Sequence, residues 1–325
     1  MSKHVQTIRI QYWQINLELE DNETLESGEC LQEIVERILK QHNGDDLQAT
    51  NDISRDIYRY MKLQDRWIAF CSILLKSRLF HMTKMTKTSS NILPITRLPR
   101  NARGKPFLPP DNQQIKFNIS HQYPFIGLSL YDVENYADME IGLDIVTFDD
   151  YLKQRIPVDE FLRYYCNSFT PFEWIRICYG SETSRIRNFY IRWAIKESIS
   201  KAKGIGLAMD FASFQVLIHN FDCIDSKTDE PTSLEDLYRG SEHGCQTNTN
   251  VVSTLQQSGK PEEYWILSFN FIERDDNQEL QGCSCISIGP FSQMPNATLS
   301  MTHQVMNMDD LIKTHLQFER NNSHD

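Results

Sequence analysis

Between residues 105 and 201 this chain places two carboxylates, two lysines and a histidine in settings suited to phosphate chemistry. In the stretch 188–207, Trp193, Glu197 and Lys201 follow one another at i, i+4 steps. On a helix the three side chains would therefore share one stripe. Phe189, Tyr190 and Ala194 widen that stripe into an apolar face able to dock on a sheet. Gly204 and Gly206 then end the helix. An acid and an ammonium on the apolar side of a helix call for a partner. Asp144, inside the apolar run 141–146, is a candidate. A carboxylate on a strand and one on a helix suit magnesium, which takes oxygen ligands and substrate phosphates. Lys201, one turn beyond Glu197, can reach the same phosphates. Lys105, in Gly104-Lys105-Pro106, and His121, after an apolar strand, offer groups for a second phosphate. The set is equipment for binding a diphosphate ester and moving a group at phosphorus.

Each residue alone has a plainer reading. Asp144 could cap a turn at a strand end, and His121 could be an ordinary turn histidine. Glu197 and Lys201 could form an i, i+4 ion pair on a solvated face.

The elements that must position these groups follow from periodicity. Residues 8–18 alternate as an opening strand. A short helix is expected over 30–41 and a stronger one over 57–82, with Trp67, Phe70, Ile73 and Leu74 on its buried face. Residues 92–110, rich in Pro and Arg, read as loop. Strands follow at 115–120 and 125–131, with Ser120-His121-Gln122 turning between them, and then at 141–146. Helical segments lie between 159 and 180, before the long helix at 184–203. Strands at 211–219, 263–273 and 283–288 close the order, and a short helix is plausible at 308–315.

This is an α+β order in which strand, helices and strands occur twice. It suggests two similar α/β halves in a pseudo-twofold arrangement, with the active site in the cleft between them. The expected division is 1–138 for the N-terminal half, 139–292 for the C-terminal half and 293–325 for a tail. A polar, acidic segment at about 222–261 reads as a mobile insertion.

Bulk properties narrow the partners. The formal net charge of −11 conceals a block at 62–105 with ten Lys or Arg against the single acid Asp65, a local balance of +9. One basic block on an acidic protein suits a compact polyanion, and no nucleic-acid-binding signature is present. No apolar run approaches the roughly 20 residues of a membrane span. The N-terminus lacks a signal-peptide pattern, so a cytoplasmic protein without membrane association is expected. The eight cysteines are scattered apart from Cys283 and Cys285, which share one strand face without a second ligand pair for zinc.

Gly104-Lys105-Pro106, Phe117-Asn118-Ile119-Ser120-His121, Ile141-Gly142-Leu143-Asp144-Ile145 and Trp193-x-x-Lys196-Glu197-Ser198-x-x-Lys201-x-x-Gly204-x-Gly206-Leu207 occur in this order. The ordered set resembles the motifs of the Sfp-type 4′-phosphopantetheinyl transferases. The resemblance implies transfer of the 4′-phosphopantetheine arm of coenzyme A to a serine of an apo carrier protein, releasing adenosine 3′,5′-bisphosphate. It implies magnesium on Asp144 and Glu197, with Glu197, directly or through a water, taking the proton of the carrier serine. Lys201 would bind the diphosphate. Arg100, Lys105 and His121 would hold the adenosine 3′-phosphate and its surroundings. Lys76 and Arg78 could reach that phosphate too, although a solvated basic helix face explains them as well.

One position departs from the pattern. Many bacterial members carry a second acid two residues after the strand aspartate, where this chain has Val146. Gln122, beside His121, is the candidate to complete the metal shell. In this, and in the Arg100 spacing, the chain is similar to the aminoadipate-semialdehyde dehydrogenase phosphopantetheinyl transferases of fungi and animals. That implies a carrier such as the aminoadipate reductase of lysine biosynthesis. A monomer is expected. The rival from another class is a non-catalytic coenzyme A or nucleotide-binding module of the same fold.

Overall fold

Ile8, Ile10 and Tyr12 bury on one side of the first strand, and Trp13 and Ile15 on the other, so both faces need cover. The computed structural model describes residues 6–17, 30–43, 46–84, 98–108, 115–132, 138–218, 248–256, 263–273, 280–293, 295 and 297–317. The first sheet contains β1 (Gln6–Asn16), β2 (Ile115–Gln122), β3 (Phe125–Asp132) and β9 (Ala297–Asn307), in the order β2-β3-β1-β9. The second contains β4 (Glu140–Thr147), β5 (Phe214–Ile218), β6 (Asn248–Gln256), β7 (Glu263–Glu273) and β8 (Leu280–Phe291), in the order β4-β8-β7-β6-β5. All described pairings are antiparallel except β1 with β9.

The strand alternation sorts the core into three layers. Between the sheets, Ile8, Ile10 and Tyr12 share a cluster with Ile141, Leu143 and Ile145 of β4 and with Ile286 and Ile288 of β8. On the outer face of the first sheet, Trp13 and Ile15 pack with α1 (Leu31–Asn43), α2 (Leu47–Tyr58) and α3 (Leu63–Lys84). On the outer face of the second, Val146, Trp265, Cys283 and Cys285 pack with α4 (Val158–Tyr164), α5 (Pro171–Ile177) and α6 (Glu182–Lys203). Each fully buried Leu, Ile or Phe here contributes about 1.5–3 kcal/mol relative to an exposed one.

The helix that carries Glu197 is bounded by local chemistry. The Ser181 side chain accepts from the Ser184 amide at its start, and Gly204, at φ 64, ends it in the left-handed region. Helix α5 begins with a complete capping box of Thr170 and Glu173 and with Pro171 in its first turn.

Four readings of the sequence change. The helix expected at 57–82 starts only at Leu63, as α3, and a separate helix, α2, lies before it over Leu47–Tyr58, capped by the Asp46 side chain accepting from the Ala49 amide. His121 and Gln122 lie within β2, and the turn falls on Tyr123–Pro124. The segment at 222–261 holds β6, paired with both β5 and β7; 222–247 and 257–261 lie outside the described residues. The tail supplies β9, parallel to β1 along its whole length, and α7 (Met308–Gln317), whose Leu311 and Ile312 join the first core.

Candidate active site

Edge strands β2 and β4 run beside each other, joining the two sheets. The Asn118 side-chain oxygen accepts from the Leu143 amide at 3.1 Å and ties the edges in register. Alternation along β4 sends Leu143 and Ile145 between the sheets and turns Asp144 the other way, toward α6. Gly142 makes the close approach of α6 possible, since a Cβ there would stand 1.8 Å from the Ser198 carbonyl oxygen.

Trp193, Glu197 and Lys201 of α6 face a cavity of about 390 Å³ that Asp144, His121 and Gln122 also line. The Lys201 ammonium donates to Asp144 Oδ1 at 2.6 Å and to Ser120 Oγ at 2.8 Å. Ser120 in turn donates to Asp144 Oδ1 at 3.3 Å. Burial raises the Asp144 pKa despite the pull of Lys201 and Ser120. Burial, and then repulsion from Asp144, also raises Glu197, with Lys201 acting in the opposite sense. His121 lines the cavity and is itself exposed. Desolvation by neighbouring atoms, and then Lys201, nonetheless lowers its pKa from the usual histidine value.

The far side of the cavity is aromatic. Trp193 meets the Tyr165 ring edge-on at 5.5 Å, and Phe161, Phe189 and Tyr190 continue the wall. Val146 also lines the cavity, so an apolar side chain stands at that position of the strand.

Other predicted residues lie elsewhere. The Lys105 ammonium donates to Glu140 Oε2 at 2.8 Å and to the Ala202 carbonyl at 2.8 Å, tying the loop to the end of α6. Glu140 also takes Lys116; burial raises its pKa, and the two ammonium groups outweigh that and lower it. Arg100 is exposed and donates to the Gly104 carbonyl at 2.7 Å. It nonetheless lies near enough to Lys76 to help lower that lysine to about 8, behind the larger effect of burial. Lys76 likewise acts on His121, so Lys76 brings positive charge to bear on the histidine as Arg100 does on Lys76. Arg78 is not part of this set: its guanidinium lies over the Trp13 ring at 5.3 Å and donates to Met306.

Three groups have no role assigned from the sequence, although Ser120 and Lys196 stand in its motifs. Ser120 had a signal, since it immediately precedes His121 on an alternating strand. Asp150, whose carboxylate accepts from Gln122 Nε2 at 3.0 Å, had none. Lys196, next to Glu197, is fully buried, and its ammonium bonds the carbonyls of Phe211 and Phe214 at 2.6 Å and Glu173 at 3.0 Å. Lys196 therefore holds the helix in place and stays out of the cavity.

Among the described residues, no three of His, Cys, Asp and Glu converge as a closed metal cage. Two carboxylates and one amide lining an open cavity suit a hard cation that keeps water and substrate oxygens as ligands. The residues present fit magnesium of that kind. Among the same residues, no helix is long and apolar enough to cross a membrane.

Residues 140–251 match the family described as the 4′-phosphopantetheinyl transferase superfamily. A phosphopantetheinyl transferase of Thraustochytrium sp. is 34% identical over 116 residues, covering 34% of this chain and 38% of that protein. The L-aminoadipate-semialdehyde dehydrogenase-phosphopantetheinyl transferase of Homo sapiens is 34% identical over 119 residues, 35% of this chain and 36% of that one. The protein of the same name from Schizosaccharomyces pombe is 28% identical over 172 residues, 52% of this chain and 64% of its own length. The matched region thus spans little more than a third of the first two relatives.

Proposed function

We propose that this chain, whose residues 140–251 match the 4′-phosphopantetheinyl transferase superfamily, moves the 4′-phosphopantetheine arm of coenzyme A to a serine of an apo carrier protein. The observation that carries this reading is the convergence of Asp144, Glu197 and Lys201 on one cavity between β2, β4 and α6. In the reaction the serine oxygen attacks the phosphorus next to pantetheine. The bond from that phosphorus to the bridging oxygen breaks, and adenosine 3′,5′-bisphosphate leaves. Glu197 takes the serine proton directly or through a water. Lys201 turns from Asp144 toward the diphosphate and offsets charge on the leaving phosphate. Asp144, Glu197 and Gln122 would hold magnesium, which when bound supplies charge stabilisation to the phosphate oxygens.

Lys76 and Arg100, with His121 as a hydrogen-bonding group, receive the adenosine 3′-phosphate. Lys105, held by Glu140 and Ala202, serves this region by fixing the loop that carries Arg100. The reading extends to a pseudo-twofold pair of halves divided near residue 138, with the site in the cleft between them. The chain acts in the cytoplasm as a monomer. Its carrier on this reading is an aminoadipate reductase of lysine biosynthesis; the relatives are named for an L-aminoadipate-semialdehyde dehydrogenase. Incubation with coenzyme A, magnesium and a panel of apo carriers, read by intact mass, tests the transfer. A mass gain on a carrier serine is expected, and no gain on any carrier would overturn the reading.

A further inference from the structure

Val146 leaves the strand side of the carboxylate pair without an oxygen donor, and Gln122 and Asp150 line the same cavity. Asp150 lies in the 3-10 turn Asp150–Gln154 that follows β4, and Lys153 of that turn is ion-paired with it. Gln122, at the end of β2, donates its side-chain Nε2 to Asp150 Oδ1 at 3.0 Å. The two residues lie 28 positions apart, on different sheets' margins.

A primary amide has a donor end and an acceptor end, and a cation tolerates only the second. Unfixed, the Gln122 amide can turn either end to the cavity. An ionised carboxylate accepts and does not donate, so the Asp150 contact must engage the NH₂ end and leaves the oxygen as the end offered elsewhere. Metal ligands are commonly oriented this way by a group that does not itself touch the ion.

We propose that Asp150 is a positioning residue: it holds the Gln122 amide by its nitrogen so that Gln122 Oε1, in place of the acid absent at Val146, faces the cation of Asp144 and Glu197. This rests on the metal assignment made for the transfer reaction, and it adds a residue that the family motifs do not contain.

The test is Mn²⁺ binding to the free protein, followed by loss of the free-ion signal in electron paramagnetic resonance. Asp150→Ala and Gln122→Ala should each weaken Mn²⁺ binding by about tenfold. The double variant should bind no more weakly than Gln122→Ala alone, because the two residues act as one unit. In a Gln122→Glu background both oxygens are equivalent and no orientation is needed, so Asp150→Ala should cost nothing there. The proposal is overturned if Asp150→Ala binds Mn²⁺ like the wild type, if the two losses multiply, or if the loss persists beside Glu at position 122. Carrier modification with Mn²⁺ binding unchanged in Asp150→Ala would remove this inference and leave the transfer reading intact. The expected binding cycle without modification of any carrier would do the reverse.

Discussion

Gly142 of β4 lies so close to Ser198 of α6 that a Cβ at residue 142 would stand 1.8 Å from the Ser198 carbonyl oxygen and 2.7 Å from the Ala202 amide nitrogen. This contact sets the distance between the strand bearing Asp144 and the helix bearing Glu197 and Lys201. Both obstacles are backbone, so no side chain can swing aside. Gly142→Ala should therefore push α6 away from β4, at about 1–3 kcal/mol or more. Denaturant midpoints should fall, and the transfer rate of the still-folded fraction should fall further. A variant with normal turnover would show that the strand–helix spacing does not govern the site.

The Lys196–Glu173 pair gives a second expectation. Both side chains are fully buried, and Glu173 also accepts from Val216 and serves the capping box. Burial lowers Lys196 to about 8, with Glu173 pulling the other way, so it is still mostly protonated at neutral pH. Removing one partner leaves an uncompensated buried charge, and Lys196→Met should cost about 3–5 kcal/mol. Chemical denaturation measures this. A loss of activity without a loss of stability would place Lys196 in the chemistry instead.

Glu197 and Asp144 carry a signed pH dependence. Both have folded pKa values above those of a free carboxylate, so in the window between the two values the folded form binds more protons than the unfolded. Stability contributed by these groups is therefore present at low pH and lost as pH rises through that window. Without metal, Glu197→Gln should gain melting temperature over the wild type at pH 8 and not at pH 4. The same variant should lose transfer by about 10²-fold or more while still binding coenzyme A. Equal wild-type and variant melting temperatures at pH 8, or undiminished turnover, would remove Glu197 from these roles.

Lys76 should read the adenosine 3′-phosphate. Its pKa near 8, lowered first by burial and then by Arg100, means that the free site loses a charge as pH rises past that value. A charged hydrogen bond is worth about 1.5–3 kcal/mol, so Lys76→Met should weaken coenzyme A roughly tenfold to a hundredfold. It should leave 3′-dephospho-coenzyme A almost unaffected. The preference of the wild type for the phosphorylated ligand should shrink above pH 8, which calorimetry with both ligands can follow. An equal loss for the two ligands would place Lys76 away from that phosphate.

Much of this arrangement was legible in the chain. Helix α6 came within two residues of its observed start because Trp193, Glu197 and Lys201 repeat every fourth position and Gly204 ends the run. Strand β4 was equally clear, and its alternation already implied that Asp144 faces away from Leu143 and Ile145. Helix α2 was missed because only Ile53 and Ile57 of its residues are buried, which leaves a thin apolar stripe in a polar segment. Strand β9 was missed because an alternating segment such as 297–307 reveals a strand only once its neighbour is known, and β1 is more than 280 residues away.

The sequence by itself determined which residues could do the chemistry and which local element each rides on, because helical and strand periods and their caps are properties of neighbouring residues. Only the tertiary structure decided that Lys105 closes the end of α6 beside Glu140, that Lys196 is buried while Glu197 faces the cavity, and that Asp150 takes the amide of Gln122. Each of these depends on ion pairs and hydrogen bonds between groups brought together by sheet edges and helix packing. A charge in the chain carries no local sign of the partner it will meet, so those assignments wait on the packing of β2, β4 and α6.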